Sequence, residues 1–126
     1  MILIDEVLRL HENSIRDYGG SFGIRDKDLL ESAIARPFQT FGGIDLYTSV
    51  FEKAAALLES LIKNHPFVDG NKRTGFLAAF VFLHRNNFEI IAEQENAYDF
   101  VIKVGSSQLT FEEIVDWLQQ NSKPLE

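Results

Sequence analysis

Two apolar-faced helical segments, residues 50–62 and 76–83, are separated by the polar stretch NHPFVDGNKRTG at residues 64–75. That arrangement constrains the fold more than any other feature. Two such segments bury their apolar faces by packing together, and the stretch between them then lies at their mouth. In the first segment Val50, Phe51, Ala54, Leu57, Leu58, Leu61 and Ile62 share one helical face. The second is apolar nearly all round, which marks it as the central and most buried helix. Pro66 disfavours helical backbone at His65, so the first helix is expected to end near Asn64 and the second to begin around Asn71.

The rest of the chain also reads as helix. Leu3, Val7, Leu10 and Tyr18, with Ile4, Leu8 and Ile15 beside them, keep helical spacing until Gly19 and Gly20 stop the run. Asp26 is a good N-cap for KDLLESAIAR, which Pro37 terminates. Residues 38–47 hold aromatics around Gly42 and Gly43 without helical period and read as a loop or a short hairpin. After the extended piece FEII come a helix over roughly residues 96–104 and a last one announced by the Thr110 and Glu113 capping box, with Phe111, Ile114, Val115 and Leu118 inward. With no repeats and no linker, the expectation is one all-α domain over residues 1–126.

Composition removes several function classes. A net charge of −7 argues against direct nucleic-acid binding, because phosphate backbones demand a basic face. The N-terminus meets acids by position 5, unlike a signal peptide or a membrane span, so no membrane is expected and a cytoplasmic location is the default. The absence of cysteine leaves no disulfide framework or thiolate metal site and suits a reducing compartment.

Against that acidic background the stretch at 64–75 concentrates chemistry. The first N–H groups of a helix lack internal partners and carry about half a positive charge, so the start of the second helix is an anion site. Gly70 lets backbone approach a ligand, and Lys72 and Arg73 add full charges in the same turn. Two cations are locally unfavourable at a helix N-terminus, which suggests a resident anion. Asp69 is placed to share a Mg²⁺ with phosphate oxygens, and the imidazole of His65 is a candidate general base for a hydroxyl. Singly, each feature has a plainer meaning: DGN is a turn signal, a Lys-Arg pair is usually a solvated face, and His65 could be a loop residue. His11 and His84 read as surface or helix-flank residues. GNKRTG does not fit a Walker loop.

The run HPFVDGNKRTG resembles the signature of the Fic/Doc family, H-P-F-x-x-G-N-G-R-x-x-R with an acid before the glycine. It is most similar to the Doc (death-on-curing) branch, in which lysine replaces the second glycine of that signature. YGGSFGIRD, LLESAIARPFQTFGGIDLY and FLHRNN extend the likeness over nearly the whole chain. The resemblance implies an all-α Fic/Doc helical bundle with a short flap near residues 38–47. It implies His65, Lys72 and Arg73 as catalytic residues, Asp69 as the Mg²⁺ carboxylate, and Gly70, Asn71, Lys72 and Arg73 as the phosphate cradle. Thr40, Phe41, Gly42, Gly43 and Ile44 match the flap that holds a target backbone by strand addition.

Two departures from the signature bear on the reaction. Lys72 stands where adenylylating members have glycine, and Phe76 where they have the second arginine. Presenting the α-phosphate for AMP transfer is thereby disfavoured. The Doc likeness implies instead a toxin that binds ATP, or another nucleoside triphosphate, with Mg²⁺ and transfers the γ-phosphate to a Ser/Thr hydroxyl of elongation factor Tu or a similar protein, stopping translation. An AMP-transferase and a catalytically silent peptide-binding module are the alternatives. The inhibitory motif of many Fic proteins, S/T-x-x-x-E-G/N, has no match here, so restraint is expected from a separate antitoxin that folds into a groove. Leu3, Val7, Leu10 and the aromatics of 38–47 are its candidate anchors.

Overall fold

The computed structural model describes residues 2–126. Six α-helices alternate with four short strands: α1 (Ile4–Tyr18), α2 (Lys27–Ala35), β1 (Thr40–Phe41), β2 (Ile44–Asp45), α3 (Val50–Lys63), α4 (Asn71–Arg85), β3 (Phe88–Ile90), α5 (Gln94–Gly105), α6 (Phe111–Gln120) and β4 (Ser122–Pro124). The helical reading of the sequence holds throughout, with a 3₁₀ turn at Arg36–Phe38 where Pro37 ends α2.

Helix starts follow local chemistry. Asp26 Oδ1 accepts the Leu29 N–H at 3.0 Å, satisfying one of the orphan donors of α2. Reciprocal bonds between Ser49 and Glu52 start α3, and between Thr110 and Glu113 start α6. Gly19, with φ of 90°, stops α1, and its N–H reaches back to Ile15 O.

Residues 38–47 form the hairpin rather than the loop. Thr40 pairs with Asp45 and Phe41 with Ile44, and Gly42 and Gly43 take φ of 59° and 79°. A two-residue turn matching strand twist requires such left-handed backbone. The FEII piece becomes β3 and pairs antiparallel with β4. That partner was not legible, because SKP carries neither alternation nor β-formers.

The burial of the two long helices differs from expectation. Nine of the 14 residues of α3 are buried, against seven of the 15 in α4. The centre is therefore α3, which packs against α2, α4, α5 and α6. Phe76, Leu77 and Phe80 on α4 are only half-buried because they line an open cavity facing α5. A Cβ built on Gly75 would lie 2.8 Å from Ile62 Cγ1, so glycine here lets α4 close on α3. No helix among the described residues is long and apolar enough to cross a membrane.

Candidate active site

The loop between α3 and α4 is held from two sides. On one side, the N–H groups of Arg25 and Asp26 donate to Pro66 O at 2.7 and 3.0 Å, and the Val68 N–H donates to Gly23 O at 3.0 Å. On the other, Asn71 closes the turn with its side chain: Oδ1 accepts the Phe67 N–H at 2.9 Å and Nδ2 donates to Phe67 O at 3.0 Å. Asn71 is buried, so its amide group belongs to the loop, and what it offers an anion is its main-chain N–H at the start of α4.

His65 is exposed and has φ of 48°, left-handed backbone that costs a non-glycine residue on the order of 1–3 kcal/mol. Arg25 holds it there, donating from Nε to His65 O at 2.6 Å and from Nη2 to Asn64 O at 2.7 Å. The imidazole ring is left toward solvent, where a hydroxyl can reach it.

Asp69 is also exposed. Its Oδ2 accepts the Ser21 N–H at 3.1 Å and its Oδ1 the Gly70 N–H at 2.8 Å. Each oxygen keeps lone-pair capacity for a cation. No group of three or more His, Cys, Asp or Glu side chains able to hold a metal occurs among the described residues. One solvated carboxylate fits a Mg²⁺ that shares its coordination with phosphate oxygens and water, and does not fit an all-protein cage. Gly70 caps α4 with φ of 77°, and a Cβ there would stand 3.1 Å from Ile15 Cδ1. Both the backbone region and the space therefore call for glycine.

The cations of the first turn have other company than an anion. Arg73 donates from Nη2 to Gly19 O at 3.2 Å and lies over the Tyr18 ring at 5.2 Å, at the negative end of α1. The stem of Lys72 crosses Gly105, the last residue of α5, with Cε 3.0 Å from where a Cβ would be. The two charges that oppose the α4 dipole thus sit at the C-terminal ends of two other helices, where cations are favourable. The local mismatch alone is no longer an argument for an anion. The open N-terminus, the glycine and the nearby carboxylate remain.

These groups converge on a cavity of about 390 Å³, walled by Asp69, Gly70, Asn71, Lys72 and Arg73 and, from α5, by Tyr98, Val101 and Ile102. His65 stands outside its wall, at the start of the loop. A cavity of about 430 Å³ adjoins it and shares Lys72, Arg73, Tyr98 and Val101. Phe76 lines that neighbour, its ring edge-on to Trp117 with centroids 6.4 Å apart, so an apolar side chain occupies the place of the signature's second arginine. The flap residues Thr40, Phe41, Gly42, Gly43 and Ile44 are all exposed. Among the described residues no hydrogen bond or ion pair joins the flap to the His65 loop. It is anchored instead to α3, by Lys53 on Asp45 Oδ2 at 3.3 Å and by Arg36, which donates to Tyr47 Oη and to Glu59 Oε1, each at 2.9 Å.

The expectation for His11 also fails. His11 is 3% exposed, not a surface or flank residue: its ring stacks on Phe67 with centroids 3.8 Å apart and Nε2 lies 2.8 Å from Asp69 O. The signal was available, since His11 sits four residues from both Val7 and Ile15 on the buried face of α1. Arg25 and Tyr98 were also missed, and neither stands out in sequence. Of the candidate groove anchors, Val7 is fully buried, while Leu3 and Phe41 are exposed.

Residues 2–83 match the Fic/DOC family. A protein of Mycolicibacterium smegmatis named Toxin Doc is 50% identical over 76 residues, which cover 60% of this chain and 58% of that relative. A protein of Escherichia phage P1 named Protein kinase doc is 30% identical over 116 residues, 92% of this chain and 90% of that relative. The chain belongs to the Fic/DOC family.

Proposed function

We propose that the chain is a toxin acting as a Mg²⁺- and nucleotide-dependent protein kinase. It transfers the γ-phosphate of ATP or another nucleoside triphosphate to a serine or threonine hydroxyl, with an elongation factor Tu-like protein as target. The observation that carries the reading is the cavity where the exposed Asp69 carboxylate meets the open N-terminus of α4, with the exposed His65 at the start of the same doubly clamped loop. The similarity to Protein kinase doc over 92% of the chain and the apolar Phe76 beside Lys72 favour γ-transfer over AMP transfer.

In this reaction His65 takes the proton of the target hydroxyl as its oxygen attacks the γ-phosphorus. The bond from γ-phosphorus to the β–γ bridging oxygen breaks, and the nucleoside diphosphate leaves with that electron pair. The N–H groups opening α4 and the Arg73 and Lys72 cations face the charge that builds on the phosphate oxygens. Asp69 is the residue that would hold Mg²⁺, which would supply charge neutralisation for the phosphates. The flap offers its strand edge to the target backbone. Restraint comes from an antitoxin in trans, whose apolar face fits the groove of about 690 Å³ lined by Leu3, Ile4, Ile34 and Phe38.

Expression of the chain alone should arrest bacterial growth, and the His65→Ala form should not. Co-expression of a neighbouring small open reading frame should restore growth. A wild-type chain harmless at high expression in its native host contradicts the toxin reading and favours a silent binding module.

A further inference from the structure

Of the three histidines, His11 alone is buried, and the reaction proposed above gives it no part. We propose that His11 is a positioning residue: it locks the Asp69–Gly70 peptide unit so that the Gly70 N–H faces the phosphate site. The inference rests on the phosphotransfer reading of that site.

In a trans peptide the C=O and the following N–H point in opposite directions. Asp69 O points inward and lies 2.8 Å from His11 Nε2. Because a carbonyl oxygen only accepts, Nε2 carries the hydrogen and donates. The Gly70 N–H therefore points outward, where it donates to Asp69 Oδ1 at 2.8 Å and holds that carboxylate beside the α4 N-terminus. Glycine at position 70 makes that cap possible, with φ of 77°, but it also removes the Cβ penalty that would hold a peptide in one orientation. A flipped unit would turn a carbonyl oxygen, with its partial negative charge, toward the phosphates. It would also take a donor from the Asp69 carboxylate.

The His11 ring is itself fixed. It stacks on Phe67 with an interplanar angle of 7°, and both main-chain polar groups of Phe67 are tied to Asn71. Gly70 closes over it, since a Cβ there would come within 3.7 Å of Nε2. The imidazole thus connects the buried face of α1 to one peptide unit of the site.

Two variants separate positioning from mere core filling. His11→Phe keeps a ring on Phe67 but has no donor, whereas His11→Gln keeps an N–H donor of similar reach and loses the ring. Binding of tripolyphosphate with Mg²⁺ is measured by calorimetry on wild type and both variants, with folding followed by circular dichroism. His11→Phe is expected to bind about tenfold more weakly, the scale of one lost hydrogen bond, and His11→Gln close to wild type. Equal affinity in wild type and His11→Phe overturns the inference. A second measurement needs no variant. In ¹⁵N-labelled wild-type protein, the Gly70 amide resonance should shift on addition of Mg²⁺ and tripolyphosphate, and an unmoved Gly70 resonance while other residues of the α4 N-terminus shift overturns it as well. If wild type itself has no affinity for the probe, the phosphotransfer reading fails and the inference falls with it, a result distinct from a loss confined to His11→Phe.

Discussion

Arg25 donates through Nε to His65 O at 2.6 Å across 40 residues of sequence, and so the loop after α1 holds the backbone of the proposed general base. The contact is exposed, which limits its strength, yet it supports a residue in left-handed backbone. Arg25→Ala should lower phosphate transfer by about tenfold, at the low end for a hydrogen bond involving a charge, and leave nucleotide affinity unchanged. Single-turnover kinetics with separate nucleotide binding checks this; a parallel loss of affinity would mean that Arg25 supports the whole loop.

His65 and Asp69 should separate in their effects. His65→Ala is expected to cut transfer by about 10²–10⁴-fold with nucleotide binding nearly intact, because only the proton acceptor is lost. Asp69→Ala removes the carboxylate for Mg²⁺ and should weaken binding of the Mg²⁺-nucleotide itself. Titration of a fluorescent nucleotide with and without Mg²⁺ distinguishes them, and equal affinities in the two variants would contradict this division.

Gly75 tests the α3–α4 contact that places the site. Alanine gains about 1 kcal/mol of helix propensity, but its Cβ would meet Ile62 Cγ1 at 2.8 Å, and overpacking of this kind costs about 1–3 kcal/mol. The clash should win. Gly75→Ala is expected to lower the urea midpoint, and a raised midpoint would show that Ile62 moves aside freely.

Glu6 gives a pH signature. Hydrogen bonds from Arg85 first and from the Leu3 N–H second hold its carboxyl at about 2, below the ordinary 4.5. A carboxyl lowered in the folded state contributes stability that is fully present above 4.5 and is lost as pH falls from about 4.5 to about 2. Urea midpoints over that window should fall less steeply for Glu6→Gln than for wild type; identical slopes would remove this pair from acid unfolding.

Much of this was legible in sequence for a local reason. Caps such as Asp26, Ser49 and Thr110 act over three residues, and the loop from His65 to Arg73 is continuous in the chain, so spacing alone assembles it. What stayed hidden depends on contacts between distant segments. Arg25 reaches His65 only because the loop after α1 lies against the loop after α3. β4 pairs with β3 only after α5 and α6 have returned the chain. Arg73 looked misplaced at a helix start until α1 brought the Gly19 carbonyl to it. His11 was legible in part: its spacing from Val7 and Ile15 marked the buried face, but a buried imidazole needs a partner, and only the fold supplies the Asp69 carbonyl.

The central claim is γ-phosphoryl transfer to a protein hydroxyl. The most direct measurement incubates the protein with Mg²⁺ and a bacterial lysate, using ATP labelled at either the α- or the γ-phosphate. Label should reach a protein from the γ-position only, and the signal should disappear with His65→Ala. Robust transfer from the α-position would contradict the account and identify AMP transfer despite Lys72 and Phe76.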